Sequence, residues 1–199
     1  MKNKMKKYFF IDGSNLYAAQ YELFGPEKYL DFSRLIKELQ KKIKTKFDKI
    51  YFYASYSPKP KKPTKRQKLY LKNEALFYRN VKKTKNVVFF KGYRSKTSGK
   101  EKGVDVKLAA DLISFAFLNK YDVIYLFSGD ADFLQALFNI RRFCRDKEIF
   151  ILCLQNKIMY KGAFHFKTYI VDFDRAKIKF HKNQKIKIIK VRRKNITVF

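Results

Sequence analysis

The chain has 199 residues with 46% hydrophobic and 18% aromatic content, enough for one packed α/β domain and against wholesale disorder. Lys and Arg number 47 against 17 Asp and Glu, a formal net charge of +30, so the expected partners are polyanions, with nucleic acid ahead of anionic membrane. A biased base composition would raise Glu along with Lys, and Glu is scarce. No apolar run approaches the ~20 residues of a transmembrane helix. The basic N-terminus turns apolar but meets Asp12 too soon for a secretory signal, so a cytoplasmic protein with no membrane partner is expected. Cys144 and Cys153 form no CxxC pair and have only His165 and His181 as possible companions, which makes zinc improbable and reduced core thiols the expectation.

In chain order, residues 8–12 read as a first strand ending in Asp-Gly-Ser-Asn. Helical periodicity follows over 14–23 and 32–43, then a strand over 49–55 and a Pro/Lys loop over 57–65. A long basic helix covers 65–83, with Leu69, Leu76 and Phe77 spaced for a buried face. A strand over 86–91 leads to a Ser/Gly/Lys loop over 94–102 and a helix over 103–118. A strand over 123–127, a helix over 132–143 and strands over 148–154 and 168–171 complete the pattern. Short apolar strands alternating with helices predict an α/β fold with a mostly parallel sheet and helices on both faces, in a single domain over 1–174. From Arg175 onward Lys, Arg and Ile dominate, and 175–199 reads as a basic edge strand or a nucleic-acid-contacting arm.

In so cationic a chain, clustered carboxylates need a reason. Asp12 follows the first strand, and Asp130 and Asp132 follow the 123–127 strand. In an open parallel sheet these strand ends form the ligand-binding rim. If the two strands are neighbours about 4.8 Å apart, their carboxylates come within reach of one cation. At about 100° per residue, Asp105 falls within the apolar stripe of Val104, Leu108, Ala109, Leu112, Phe115 and Ala116, with Asp111 at its edge. A core-facing carboxylate must be paired, protonated or on a metal. Each acid also has a plainer role open to it: turn former, cap of the next helix for Asp132, or helix-dipole partner for Asp105. An oxygen-only donor set favours Mg²⁺ or Mn²⁺, which points to phosphodiester chemistry.

Three segments carry a resemblance. Phe10-Ile-Asp-Gly-Ser-Asn-Leu16, Lys102-Gly-Val-Asp-Val-Lys-Leu-Ala-Ala-Asp111 and Ser128-Gly-Asp-Ala-Asp-Phe133 resemble, in order and spacing, the NYN domains of the PIN-like nuclease superfamily, in its LabA/DUF88 branch. The resemblance implies a Rossmann-like (PIN-like) sheet and a metal-dependent ribonuclease. It places Asp12, Asp105, Asp130 and Asp132 as the acidic cluster binding Mg²⁺ or Mn²⁺. Asn15 takes the place of the polar partner that orients the first Asp or a metal-bound water. Ser128 is a supporting hydroxyl, and Asp111 a recurrent acid whose role is open between structure and site. Lys102 stands where it would touch the scissile phosphate, or is one more solvated lysine. The implied reaction is hydrolysis leaving 5′-phosphate and 3′-hydroxyl ends, with RNA, single-stranded in preference, as partner and a homodimer possible.

The loops 57–65 and 94–102 are basic and suited to gripping phosphates, with Tyr56 and Tyr93 at their edges. With 14 Tyr and 21 Phe in the chain, an aromatic beside a lysine is expected by chance, which argues against base stacking by either. The alternatives are a non-catalytic RNA-binding or regulatory module and a DNA-directed nuclease of the same superfamily. A haloacid-dehalogenase-type phosphatase needs DxD after its first strand and is set aside, because position 14 is Ser; a P-loop enzyme lacks its motif.

Overall fold

The computed structural model describes residues 4–94, 101–157, 166–173 and 186–191. His165, His181 and most of the basic C-terminal segment lie outside these residues. The main sheet is built from β1 (Lys7–Asp12), β2 (Lys49–Ala54), β3 (Val87–Lys91), β6 (Val123–Phe127), β7 (Glu148–Leu154), β8 (Lys167–Phe173) and β9 (Ile186–Val191). Their spatial order is β3-β2-β1-β6-β7-β8-β9. The first six run parallel, and β9 closes the edge antiparallel to β8. The Ile186–Val191 stretch of the basic segment is therefore an edge strand in its backbone pairing.

Period-two alternation in β1 sends Phe9 and Ile11 to one face and Phe10 to the other, and each face has its own core. Helices α1 (Gly13–Phe24), α2 (Phe32–Lys42) and α3 (Lys65–Lys83) cover the first. Helices α4 (Val104–Phe117) and α5 (Leu134–Phe143) cover the second. Aromatic rings fill much of this volume: Phe9 stacks on Phe47 at 4.4 Å and Phe52 on Phe89 at 5.4 Å. Each fully buried Phe contributes roughly 1.5–3 kcal/mol of apolar transfer. Both cysteines are buried and carry no disulfide. No helix among the described residues is long and apolar enough to cross a membrane.

Most predicted elements appear within a residue or two, and four differences are informative. The 94–102 loop is pinched at its base, where β4 (Tyr93–Arg94) pairs antiparallel with β5 (Glu101–Lys102). The 132–143 helix begins one residue earlier as a 3₁₀ turn, Ala131–Phe133, before the α-helical part. On α3 the buried residues are Asn73, Glu74, Phe77, Tyr78 and Val81, while Leu69 and Leu76 are only half-buried. The helix packs through a face that includes two polar side chains, each satisfied internally. Asn73 donates to the Pro26 carbonyl, and Glu74 accepts from both the backbone N–H and the hydroxyl of Ser57.

On α4 the order of the two acids is reversed. Asp111 is buried, and Asp105 is exposed. Asp105 shares the angular range of the apolar stripe, but it lies in the helix's first turn and is exposed there, while its neighbour Val104 is buried. Asp111 sits about 9 Å further along the helix axis, over the sheet. There it accepts from the Tyr53 hydroxyl at 2.8 Å and pairs with Lys107, which reaches round from the solvent side.

Glu74 anchors the loop that follows β2. Its two hydrogen bonds fix Ser57, and a capping box between Thr64 and Gln67 fixes the loop's other end at the start of α3. Between those anchors Lys59, Lys61 and Lys62 hang exposed. Glu74→Ala will destabilise the fold by about 2–3 kcal/mol, because a buried charged acceptor is lost and Ser57 loses its partner. Urea denaturation checks it, and a loss under 0.5 kcal/mol would remove Glu74 as the anchor.

Candidate metal and phosphodiester site

The site forms where β1 and β6 end side by side. Ile11 registers with Phe127, so Asp12 lies beside Ser128, as adjacent parallel strands require. Asp12 is also the N-cap of α1, and its Oδ1 accepts from the Asn15 backbone N–H at 3.0 Å. Its Oδ2 accepts from the Ser128 hydroxyl at 2.9 Å. The Ser128 oxygen in turn accepts from the Asp130 N–H at 3.0 Å. The Asn15 side chain spans the gap differently from expectation: its Oδ1 accepts from the Gly129 N–H at 3.3 Å. Asn15 therefore holds Asp12 through its backbone and the 128–130 loop through its side chain.

Asp130 caps the 3₁₀ turn, accepting from the Asp132 N–H at 2.9 Å. The capping role open to Asp132 thus belongs to Asp130, and Asp132 is left exposed in the first turn. Asp105 enters from the other side, in the first turn of α4, just after Gly103 at φ +80°. That left-handed backbone turns the chain from β5 into the helix and favours glycine. The Lys102 side chain lies outside the described residues, so its predicted phosphate contact has no structural counterpart here.

Electrostatics single out Asp12. Its side chain is only 4% exposed, and burial is the main cause that pushes its pKa up to about 7. The Asn15 and Ser128 hydrogen bonds pull it down, and the negative charges of Asp105 and Asp130 push it further up. A buried carboxylate next to two more carboxylates is a place of excess negative charge in a strongly positive molecule. A divalent cation would relieve that excess.

Among the described residues, no three His, Cys, Asp or Glu side chains already converge as a ready metal cage. Asp12, Asp105 and Asp130 share a field without sharing a point. A divalent ion held there would take one or two of these carboxylates and complete its shell with waters and phosphate oxygens, as Mg²⁺ does. Asp111, committed to Tyr53 and Lys107, is outside this group.

The family model for the NYN domain matches residues 8–166, which spans β1 to the start of β8 and contains every residue of the site. The chain belongs to the NYN domain family. Membership points to the PIN-like nuclease superfamily, in agreement with the sheet and with the acids at its strand ends. A crystal structure of a protein of unknown function from Vibrio parahaemolyticus shares the fold of this NYN protein. The two are 19% identical, with a TM-score of 0.63 over 87% of this chain and 96% of the other. No curated protein matches.

Two supporting features escaped the sequence reading, one with a weak signal and one with none. Glu74 falls three, four and seven residues before Phe77, Tyr78 and Val81, so it shares their helix face. The 155–157 turn against Gly129 left no signal, because only tertiary packing brings it there.

Proposed function

We propose that this NYN protein is a metal-dependent ribonuclease that hydrolyses RNA phosphodiester bonds at the β1/β6 rim, with single-stranded RNA as the favoured substrate. The observation that carries the reading is Asp12: a carboxylate buried at the strand ends, its pKa raised to about 7, with Asp105 and Asp130 adding to its charge. Such a group is costly in isolation and useful beside a divalent cation. In the proposed site Asp12, Asp105 and Asp130 hold Mg²⁺ or Mn²⁺, with Asp132 at the exposed edge. When bound, the ion supplies Lewis-acid stabilisation of the charge that builds on the phosphodiester.

The chain's own residues supply the geometry. Ser128 and the Asn15 N–H fix both oxygens of Asp12 and hold its orientation. Asn15 and Gly129 tie the two strand-end loops together, so Asp130 keeps its place relative to Asp12. The +30 charge draws the RNA backbone to the protein, with the exposed lysines of the 57–65 loop among its contacts. Cytoplasmic localisation belongs to the same proposal.

The test is cleavage of end-labelled single-stranded RNA and DNA with Mn²⁺, Mg²⁺ or EDTA, alongside Asp12→Asn and Asp130→Asn. Metal-dependent RNA cleavage that both variants lose is expected. Tight, salt-sensitive RNA binding with no cleavage under any condition would overturn the reading in favour of a binding module. Cleavage of DNA alone would keep the site and overturn the substrate.

A further inference from the structure

The two tyrosines at the loop edges, equal in the sequence, are unequal in the structure. Tyr56 is boxed in: the Tyr78 ring meets it at 5.1 Å, and the Lys82 and Lys91 ammonium groups lie over it at 5.5 and 5.6 Å. Lys82 also donates to its hydroxyl. Tyr93 is 66% exposed, one of few large apolar-bodied side chains so placed among the described residues.

Its position is fixed from below. The row Asp12, Tyr53 and Phe90 runs straight across β1, β2 and β3, which puts Phe90 about 10 Å to the side of Asp12, and Tyr93 follows two residues after the end of β3 on the same rim. The backbone of Tyr93 pairs with that of Lys102, and its ring lies against Gly103, where a Cβ would meet Cε1 at 3.0 Å. Two residues beyond Gly103 is Asp105, whose charge acts on Asp12. An aromatic ring held from one side by a glycine and open to solvent at the mouth of a phosphodiester site has the form of a stacking platform.

We propose that Tyr93 stacks on an unpaired nucleobase flanking the scissile phosphate, and so selects single-stranded over duplex RNA. The inference rests on RNA being the substrate of the Asp12 site. A ring is sequence-tolerant because every base presents a π-face, whereas bases locked in a duplex have no free face to offer. Tyr93 is a substrate-positioning residue, separate from the acids that would hold the metal.

The chain has no tryptophan, so Tyr93→Trp places a single reporter at the platform. In an Asp12→Asn background, which holds RNA uncut, a single-stranded oligoribonucleotide should quench this fluorescence, and a blunt RNA duplex or inorganic polyphosphate should not. Phe117→Trp, in the same background, is the control. Phe117 is 57% exposed at the far end of α4 and reports non-specific coating of a cationic surface. Tyr93→Ala should weaken single-strand binding about five- to hundredfold, and Tyr93→Phe should restore it.

Equal quenching at positions 93 and 117, quenching at 93 by duplex or polyphosphate, or unchanged affinity in Tyr93→Ala would each overturn the proposal. Specific quenching at 93 in a protein whose wild type never cleaves would uphold the platform while defeating the nuclease reading.

Discussion

Replacing Asp12 with Asn will make the metal-free protein more stable at neutral pH while removing cleavage. The folded state holds this carboxylate at a pKa of about 7, against an ordinary value of 3.8. Once it is fully ionised, that difference costs the fold up to about 4 kcal/mol. The sign follows from the direction of the change. Below about pH 4 the group is protonated both folded and unfolded, and there is no cost. Between about pH 4 and 7 the unfolded chain releases the proton and the folded chain retains it, so stability falls as pH rises. Above about pH 7 the cost is complete.

Asn carries no charge, can accept from the Asn15 N–H as Asp12 does, and can donate to Ser128 instead of accepting from it. Thermal unfolding in EDTA from pH 4 to pH 8 should therefore show wild type and variant together at the acid end. They should separate by up to about 10 °C at the alkaline end. Adding Mg²⁺ or Mn²⁺ should raise the wild type selectively. Cleavage should drop by about three orders of magnitude, the equivalent of several kcal/mol of transition-state stabilisation. Parallel pH profiles for the two proteins would mean that Asp12 is not held against its own charge.

How much of this was legible in the sequence depended on whether a feature was local. Strands 123–127 and 148–154 and helix 65–83 were predicted to the residue, because apolar runs or periodicity stop at polar or turn-forming neighbours. The approach of Asp12 to the end of the 123–127 strand was conditional on the two strands being neighbours, and the β1–β6 register makes them so. What escaped was whatever depends on where an element sits relative to its neighbours. Asp105 had the angle of a buried residue, but in the helix's first turn it is exposed. Asp132 was the candidate cap, and the 3₁₀ turn starting at Ala131 gives that role to Asp130 instead. Tyr56 and Tyr93 were indistinguishable until one was enclosed and the other left open. The β4–β5 pair escaped because two-residue strands are too short to show a period.

Gly129→Ala should cost far more activity than stability. Gly129 lies between Ser128 and Asp130, and a Cβ there would fall on the backbone carbonyl of Lys157. A flexible side chain could move aside, but this carbonyl belongs to a turn tied down on several sides. Gln155 N–H donates to the Val171 carbonyl at 3.1 Å, and Lys157 N–H to the Leu154 carbonyl at 2.9 Å. Asn156 donates to the Ala19 carbonyl at 3.0 Å, and Lys157 pairs with Glu22 at 2.7 Å. The 128–130 segment is anchored at Ser128, by its N–H to the Leu152 carbonyl at 3.1 Å and its hydroxyl to Asp12, whereas the Gly129 N–H reaches Asn15 at a long 3.3 Å, so the shift falls on Gly129 and Asp130.

Moving that segment by about 1 Å changes the spacing between Asp12 and Asp130, a displacement that costs about a hundredfold in rate. The fold itself loses only the roughly 1–3 kcal/mol of a local overpacking. Gly25→Ala separates this effect from simple backbone strain. Gly25 sits at φ +74° with nothing near its missing Cβ, so alanine there should lower stability by about 1–2 kcal/mol and leave the rate alone. Cleavage rates and urea denaturation of the two variants make the comparison. If Gly129→Ala cuts at the wild-type rate, or if both variants slow in proportion to lost stability, the 128–130 segment does not set the geometry of the site.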